Sequence, residues 1–471
     1  MKTQAMRPGG CNMRRKIESA VRNPAFSRIM LSLLGAETVT VFFVKARGGS
    51  LEHYLALFLP MLAVTALALI FSFYHKTSFK FPVFCILLLY MGIAMQCIIQ
   101  NESSSYAVKE QIIFLASVAA AGIMIFTHYK WLSIWKPEKI LVSAVLATVM
   151  IYLVLLILGT DAQGTRAWIT FGAFSIQPTE FIKILFVYVN TMIFCCMEWK
   201  DWMKLLVSGG YLGINLLFSV GISEMGSFLL MLLVYGVYCI LFLKSWRFLL
   251  GLLVSFAGVG ITGAGIGAGI LWYANGRADI SAFLQKCCSM VIKIQSRITI
   301  WLHPENDPLG TGYQGMKARE AMALGGWFGS DYPVKIPVED SDYIFTSILL
   351  HMGLAVGILM VLLFLALLVE GIKLYLGAES GKNTGIVVGC VYYLFAESML
   401  MILGSTGFFL MTGVPIAFVS NGGTALMAAF MMAALILYLG CGSTDHRNFG
   451  RKANGKEERE RYGEEKVIRE N

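Results

Sequence analysis

The sequence predicts an all-α fold: a polytopic membrane helix bundle of about 12 transmembrane helices. Three observations predict it. Of 471 residues, 57% are apolar and only 14% are charged, with a mean hydropathy of +0.68. A soluble domain usually carries about 25% charge, so a water-soluble fold of this chain would leave too much apolar surface. The apolar residues also fall in runs of about 20, the length at which a helix crosses a hydrocarbon core. Ten cysteines are scattered without a CxxC pair or zinc spacing. The adjacent pairs Cys195–Cys196 and Cys287–Cys288 are poor candidates for bridging each other.

The apolar windows place spans at 24–44, 51–74, 81–100, 109–128, 138–158, 176–197, 203–222, 225–243, 247–274, 343–373, 384–410 and 415–440. No internal repeat is visible. The tail 1–23 is basic, with Lys2, Arg7, Arg14, Arg15, Lys16 and Arg22 against Glu18, whereas 442–471 mixes both signs. A basic tail beside a membrane reports orientation and argues for no nucleic-acid partner. The first apolar segment is too long, and lacks a clear small-residue site, for a cleaved signal peptide. With the N-terminus in the cytoplasm, most Lys and Arg between spans fall inside, among them Lys80, Lys130, Lys136, Lys139, Lys200, Lys204, Lys244, Arg247, Lys373 and Lys382. The positive-inside rule then puts both termini in the cytoplasm and two longer connections, 159–175 and 275–342, outside. The second, at about 68 residues, exceeds any ordinary helix connection.

Within that loop, Asp279 to Leu302 is amphipathic. Ile280, Phe283, Leu284, Cys287, Val291, Ile294 and Ile298 recur at helical spacing, with Lys286, Lys293 and Arg297 on the polar side. This suggests a helix along the outer membrane surface or one packed on the other spans. Acids gather at the loop's end: Glu339, Asp340 and Asp342. Asp342, just before Tyr343–Ile344–Phe345, is either a helix cap or a general base at a membrane–water boundary. Glu180 and Lys183, three residues apart, share a helix face as a structural ion pair or a functional one. Glu224 begins the eighth span; Glu37, Glu370 and Glu397 are helix glue or near-interface groups. The glycine run Gly258–Gly269 follows no strand, so it reads as close helix packing and not as a dinucleotide site.

Five separated motifs, from about residue 150 to 440, agree with one family. "GTRAWITFGAFSIQPTEFIKI" carries Trp168, Gln177, Pro178, Glu180 and Lys183; "EMGSFLL" follows; then "DPLGTGYQ" with "ALGGWFG", "SDYIFTSILLHMGLAVG" and "TGVPIAFVSNGG". The sequence resembles the SEDS proteins, the shape, elongation, division and sporulation polymerases typified by RodA, FtsW and SpoVE. It departs from them at Ala167, where the family has Arg, with Arg166 one place earlier. It also departs at Glu224 for Asp, at Lys317–Ala318 for Gln-Ser, at Ala417 for Pro and at Asn421 for Tyr.

The resemblance implies a ten-helix core with two extra N-terminal spans and a large extracellular loop between spans nine and ten. It divides the chain into a cytoplasmic tail (1–23), N-terminal helices (24–158), a catalytic membrane core (159–441, with loop 275–342) and a charged cytoplasmic tail (442–471). It implies a multi-pass protein of the bacterial plasma membrane that polymerises glycan strands from lipid II beside a class B penicillin-binding protein. Membrane lipids are the remaining partner. The family's essential acid falls on Asp342, the expected general base. Lys183 and Arg297 are the expected pyrophosphate anchors, with Arg166 and Lys317 as further candidates. Glu180 orients Lys183, and Trp168 and Gln314 are further substrate-binding candidates. A divalent cation, Mg or Mn, is a candidate aid that would bridge phosphates; the sequence shows no ligand cage for it. A non-catalytic scaffold for a penicillin-binding protein and a lipid-precursor flippase stand as alternative readings.

Overall fold

In the computed structural model the described residues are 24–74, 78–100, 106–162, 165–172, 174–243, 269, 272, 282–332, 334–376, 378 and 381–440. The two charged tails, the span expected at 247–274 and its glycine run lie outside them or touch them at single residues.

The chain opens with α1 (Pro24–Ala46) and α2 (Leu51–Tyr74), joined by a tight turn. Then follow α3 (Lys80–Ile99), α4 (Tyr106–Thr127) and α5 (Pro137–Leu158). Proline at the first position of α5 costs no hydrogen bond, and Glu138 in its first turn suits the positive helix end. Next come α6 (Thr179–Thr191), continued by a wider turn at Met192–Cys196, α7 (Asp201–Ile222) and α8 (Gly226–Phe242). The loop region holds α9 (Ala282–Leu302) and α10 (Thr311–Gly325). The last elements are α11 (Ile344–Met352), α12 (Leu354–Leu376), α13 (Gly381–Ser405) and α14 (Gly423–Leu439).

Among the described residues, nine helices are long and apolar enough to cross a membrane, and α8 and α14 are shorter apolar helices. Eleven of the expected windows therefore carry helix, and the molecule is a multi-pass membrane bundle. Its centre is set by burial. In α6, α13 and α3, 78%, 72% and 67% of the apolar window lies inside the protein, against 17% in α1 and 22% in α4. The outer helices turn apolar side chains such as Leu31, Phe42, Leu115 and Ile123 outward, as hydrocarbon allows.

Three features correct the purely helical reading. The connection 159–175 folds into a small antiparallel sheet, β1 (Thr160–Ala162), β2 (Thr165–Phe171) and β3 (Phe174–Ile176), in the order β1-β2-β3. Its alternating, β-branched segment Thr165–Phe171 suits a strand once a hairpin closes it. The window 343–373 is not one span. It breaks at Gly353 into α11, nearly all buried, and α12. The windows 384–410 and 415–440 are shortened, because 406–422 leaves α13 as an irregular segment. That segment buries Val414, Ile416, Ala417, Phe418 and Val419.

The charges at the centre of the bundle, on α6 and α13, are closed on one another. Lys183 is fully buried; its Nζ donates to Glu180 Oε2 at 2.7 Å and to Glu397 Oε1 on α13. Two carboxylates thus share one ammonium and tie α6 to α13. Elsewhere Tyr90 donates to the buried Glu37, and Glu370 accepts from Ser78 and Lys373.

Two outcomes follow. Lys183→Met leaves two buried carboxylates unpaired, a loss of about 3–5 kcal/mol. Folded yield and melting temperature in detergent should both fall steeply, while Lys317→Met, in an exposed pair with Glu320, should shift stability by less than about 1 kcal/mol. Gly353 has φ +87°, and a Cβ there would meet Gly329 N and Trp327 O at 2.4 Å. Gly353→Ala should therefore cost at least about 1–3 kcal/mol, read as a lower midpoint in the same thermal assay.

Candidate active site

The irregular segments meet at one end of the bundle and enclose two cavities. The larger, about 420 Å³, is lined by Trp168, Glu224, Lys293, Arg297, Asp342 and the loop Thr412–Pro415, among others. The smaller, about 320 Å³, is lined by Arg297, Trp301, Gln314, Arg319, Asp342 and Phe409, among others. Arg297, Asp342 and Gly413 belong to both. One carboxylate and one guanidinium therefore stand where two chambers adjoin.

Asp342 is presented by a short, heavily bonded stretch. Gln96 of α3 donates to Asp340 O at 2.7 Å, and Asn421 N donates to the same oxygen at 3.0 Å. Asn421 Nδ2 reaches Asp340 Oδ2 at 3.3 Å, and Ser420 Oγ donates to Ser341 O at 3.2 Å. Behind Asp342, Tyr343 N donates to Val338 O, and Ser347 and Thr346 bond back to Tyr343 O. The Asp342 side chain faces Gly413, where an added Cβ would lie 3.8 Å from Oδ2. Gly413 takes φ +69°, which turns the 412–415 loop in beside the carboxylate.

The amphipathic pattern of α9 has a specific outcome. Its polar residues Lys293 and Arg297 face the larger cavity and not bulk water; the Lys286 side chain lies outside what is described. Lys293 Nζ donates to Ser223 O at 3.1 Å and Arg297 Nη1 to Met411 O at 3.4 Å. Trp301 pins the end of α9 by donating to Gly407 O at 2.9 Å.

Burial pushes the Asp342 carboxyl above the usual aspartate range; Arg297 pulls it back down and Asp340 adds to the rise. Burial also raises Glu224, which accepts from Ser227 at 2.5 Å and from Gln177 at 3.4 Å. Burial and the Arg297 charge lower Lys293. The site thus holds a desolvated carboxylate beside two cations. Those two cations supply positive charge where an anionic group would lie. The cavity acids Asp342 and Glu224 do not form a cage for a divalent ion. Among the described residues no three His, Cys, Asp or Glu side chains come together to hold a metal.

The expected site residues divide sharply. Asp342, Arg297, Trp168 and Gln314 line the cavities. Lys183 and Glu180 do not; they are closed on each other and Glu397 beneath the site. Arg166 is exposed on β2 and pairs with Asp161 at 3.3 Å, while Ala167 beside it is buried. Lys317 sits on the surface of α10, paired with Glu320 at 2.6 Å. Residues that sequence reasoning did not assign to substrate also line the site: Lys293, Glu224, Trp301, Arg319 and Thr412. Lys293 shares the polar stripe with Arg297, four residues away, and that spacing was the available signal. Nothing in the local sequence around Trp301 or Arg319 distinguishes them from surface residues.

Comparison with known proteins agrees with this architecture. The chain matches the family described as "Cell cycle protein", that of FtsW, RodA and SpoVE, over residues 78–443. Stage V sporulation protein E of Bacillus subtilis is 27% identical over 367 residues, covering 75% of this chain and 92% of that protein. The probable peptidoglycan glycosyltransferase FtsW of Acinetobacter baylyi is 25% identical over 406 residues, covering 80% and 94%. Among solved structures, a chain from a study of how a peptidoglycan synthase complex coordinates polymerization and crosslinking aligns with a TM-score of 0.59 and 17% identity. That alignment covers 77% of this chain and 97% of the other. With most of its length matched and the bundle shared, the chain belongs to the FtsW/RodA/SpoVE family of membrane proteins.

Proposed function

We propose that this protein is a peptidoglycan glycosyltransferase that polymerises glycan strands from lipid II at the outer face of the bacterial plasma membrane. Both tails then lie in the cytoplasm, and the protein works with a class B penicillin-binding protein that crosslinks the product. The curated relatives named peptidoglycan glycosyltransferases support the reaction class, and the likeness to a chain of a synthase complex supports a transpeptidase partner. The observation that carries the reading is Asp342 standing with Arg297 in the wall shared by two cavities.

The chemistry follows from that placement. Two lipid-linked sugars must meet, and one hydroxyl must lose its proton as it attacks the other sugar's anomeric carbon. Asp342 accepts that proton. The new C–O bond forms as the bond from the anomeric carbon to the lipid diphosphate breaks, and the diphosphate leaves with the electron pair. Lys293 and Arg297, both in the larger cavity, hold the growing negative charge there. The smaller cavity, with Gln314 and Trp301, takes the acceptor sugar. A carboxylate raised above its ordinary range is a better proton acceptor, provided it is still ionised at working pH. Glu180 and Lys183 act beneath the site by holding α6 to α13.

Asp342→Asn should abolish polymer formation from purified lipid II, with the melting temperature kept near that of the parent; gel sizing of glycan products reads the first. A flippase would move lipid II in vesicles without forming polymer, and a scaffold would do neither. The pH profile gives a second outcome. Only the ionised Asp342 accepts a proton, so the rate should fall as pH drops through its raised pKa. Arg297 opposes that rise, so Arg297→Gln should move the acid limb to higher pH and lower kcat by about 10²-fold. An unmoved acid limb would separate Arg297 from Asp342.

A further inference from the structure

The family match begins at residue 78, so α1 and α2 lie outside it. Their connecting turn reaches the loop region directly. Arg47, which follows α1, is largely buried, and its guanidinium is used as a fork. Nη1 donates to Asp331 Oδ1 at 2.8 Å and Nη2 to Phe328 O at 2.6 Å. Its own base is fixed: Arg47 N donates to Phe43 O, Gly49 N to Val44 O and Ser50 N to Cys97 O of α3. A planar, bidentate donor on a fixed turn is a positioning device and not a tether.

What Arg47 grips is the turn after α10. Ser330 N donates to Leu350 O at 2.7 Å, Leu354 N to Gly326 O at 2.9 Å and Ala355 N to Trp327 O at 3.2 Å. The interlock is tight in both directions. A Cβ on Gly329 would meet His351 O at 2.1 Å, and one on Gly353 would meet Gly329 N at 2.4 Å. The gripped turn therefore holds the end of α11 and the break before α12. At its other end α11 begins two residues after Asp342. A rigid helix of nine residues joins the clamped point to the carboxylate.

We infer that the pair α1–α2 is a clamp on the half-helix that presents Asp342, with Arg47 as its positioning residue. The exposed Asp331 contributes the salt-sensitive half of the grip, and the Phe328 carbonyl the other half. The consequence for catalysis rests on the function proposed above; the mechanical link does not.

The test uses the full chain in detergent or vesicles, with Arg47→Ala, Arg47→Lys, Asp331→Asn and the exchanged pair Arg47→Asp/Asp331→Arg. Arg47→Ala should lower kcat for lipid II polymerisation about tenfold, leaving KM within about twofold and the melting temperature near the parent's. Amide hydrogen exchange over 326–331 and over 338–343 should speed at least about fivefold. Arg47→Lys and Asp331→Asn should fall between the parent and Arg47→Ala, and the exchanged pair should recover part of the loss. Unchanged exchange at 338–343 in Arg47→Ala would overturn the clamp, as would parent-like kcat. A loss of activity that tracks a falling melting temperature would also overturn it, reducing Arg47 to a stabilising contact. Should Arg47→Ala not fold, Asp331→Asn, altered at an exposed side chain, carries the exchange test. If the unaltered protein forms no polymer, the proposed function fails while the exchange measurements still decide the clamp.

Discussion

Backbone polar groups have no water to turn to in hydrocarbon, and that constraint organises this molecule. Where the chain is helical, the N–H and C=O groups away from the helix ends are satisfied within their own segment. Where it is not, the irregular pieces must satisfy one another, so they gather. The 406–422 segment shows how. Ala417 N, outside any helix, donates to Ser398 Oγ; Ile416 N donates to Ser420 Oγ; Asn421 N donates to Asp340 O. The same bonds that make the loop tolerable bring it against residues 338–343. A site made of irregular backbone is thus a by-product of keeping irregular backbone paired.

Charge is handled in two ways within the same bundle. Lys183 with Glu180 and Glu397 is sealed in the bundle, where each charge has its partner and nothing else can reach it. Lys293 and Arg297 line a cavity, where their charge is available to an incoming anion. Desolvation is costly in both places, but only in the second can a ligand repay it. That difference separates a structural lysine from a binding one more reliably than its depth in a span.

The departures from the family pattern acquire reasons in the structure. Asn421, in place of an aromatic residue, bonds Asp340 through both backbone and side chain. Glu224, one methylene longer than aspartate, reaches Ser227 and Gln177 from the turn before α8. Ala167, within β2, turns inward and is buried, and the neighbouring Arg166 turns outward to Asp161. Of these positions, Glu224 and Asn421 line the larger cavity beside Asp342.

The apolar windows alone determined that this chain is a membrane bundle, and nearly where its helices run, because crossing hydrocarbon imposes a length and composition that local sequence must carry. The stripe holding Arg297 was legible for a similar reason, because helical periodicity is a local property; the position of Asp342 at a span's mouth fitted a cap as well as a base, and the family motif singled it out. The sheet at 160–176, the break at Gly353 and the inward fold of 406–422 were not legible, since each depends on partners far along the chain. Lys183 shows the limit most clearly. Its spacing from Glu180 was readable, but Glu397 lies over two hundred residues away, and only packing α6 against α13 closes the lysine off. Likewise Trp301 and Arg319 become part of the site only when α9 and α10 meet the loop after α13. Distance in sequence carries no energy; contact in space does, and contact was the tertiary structure's to decide.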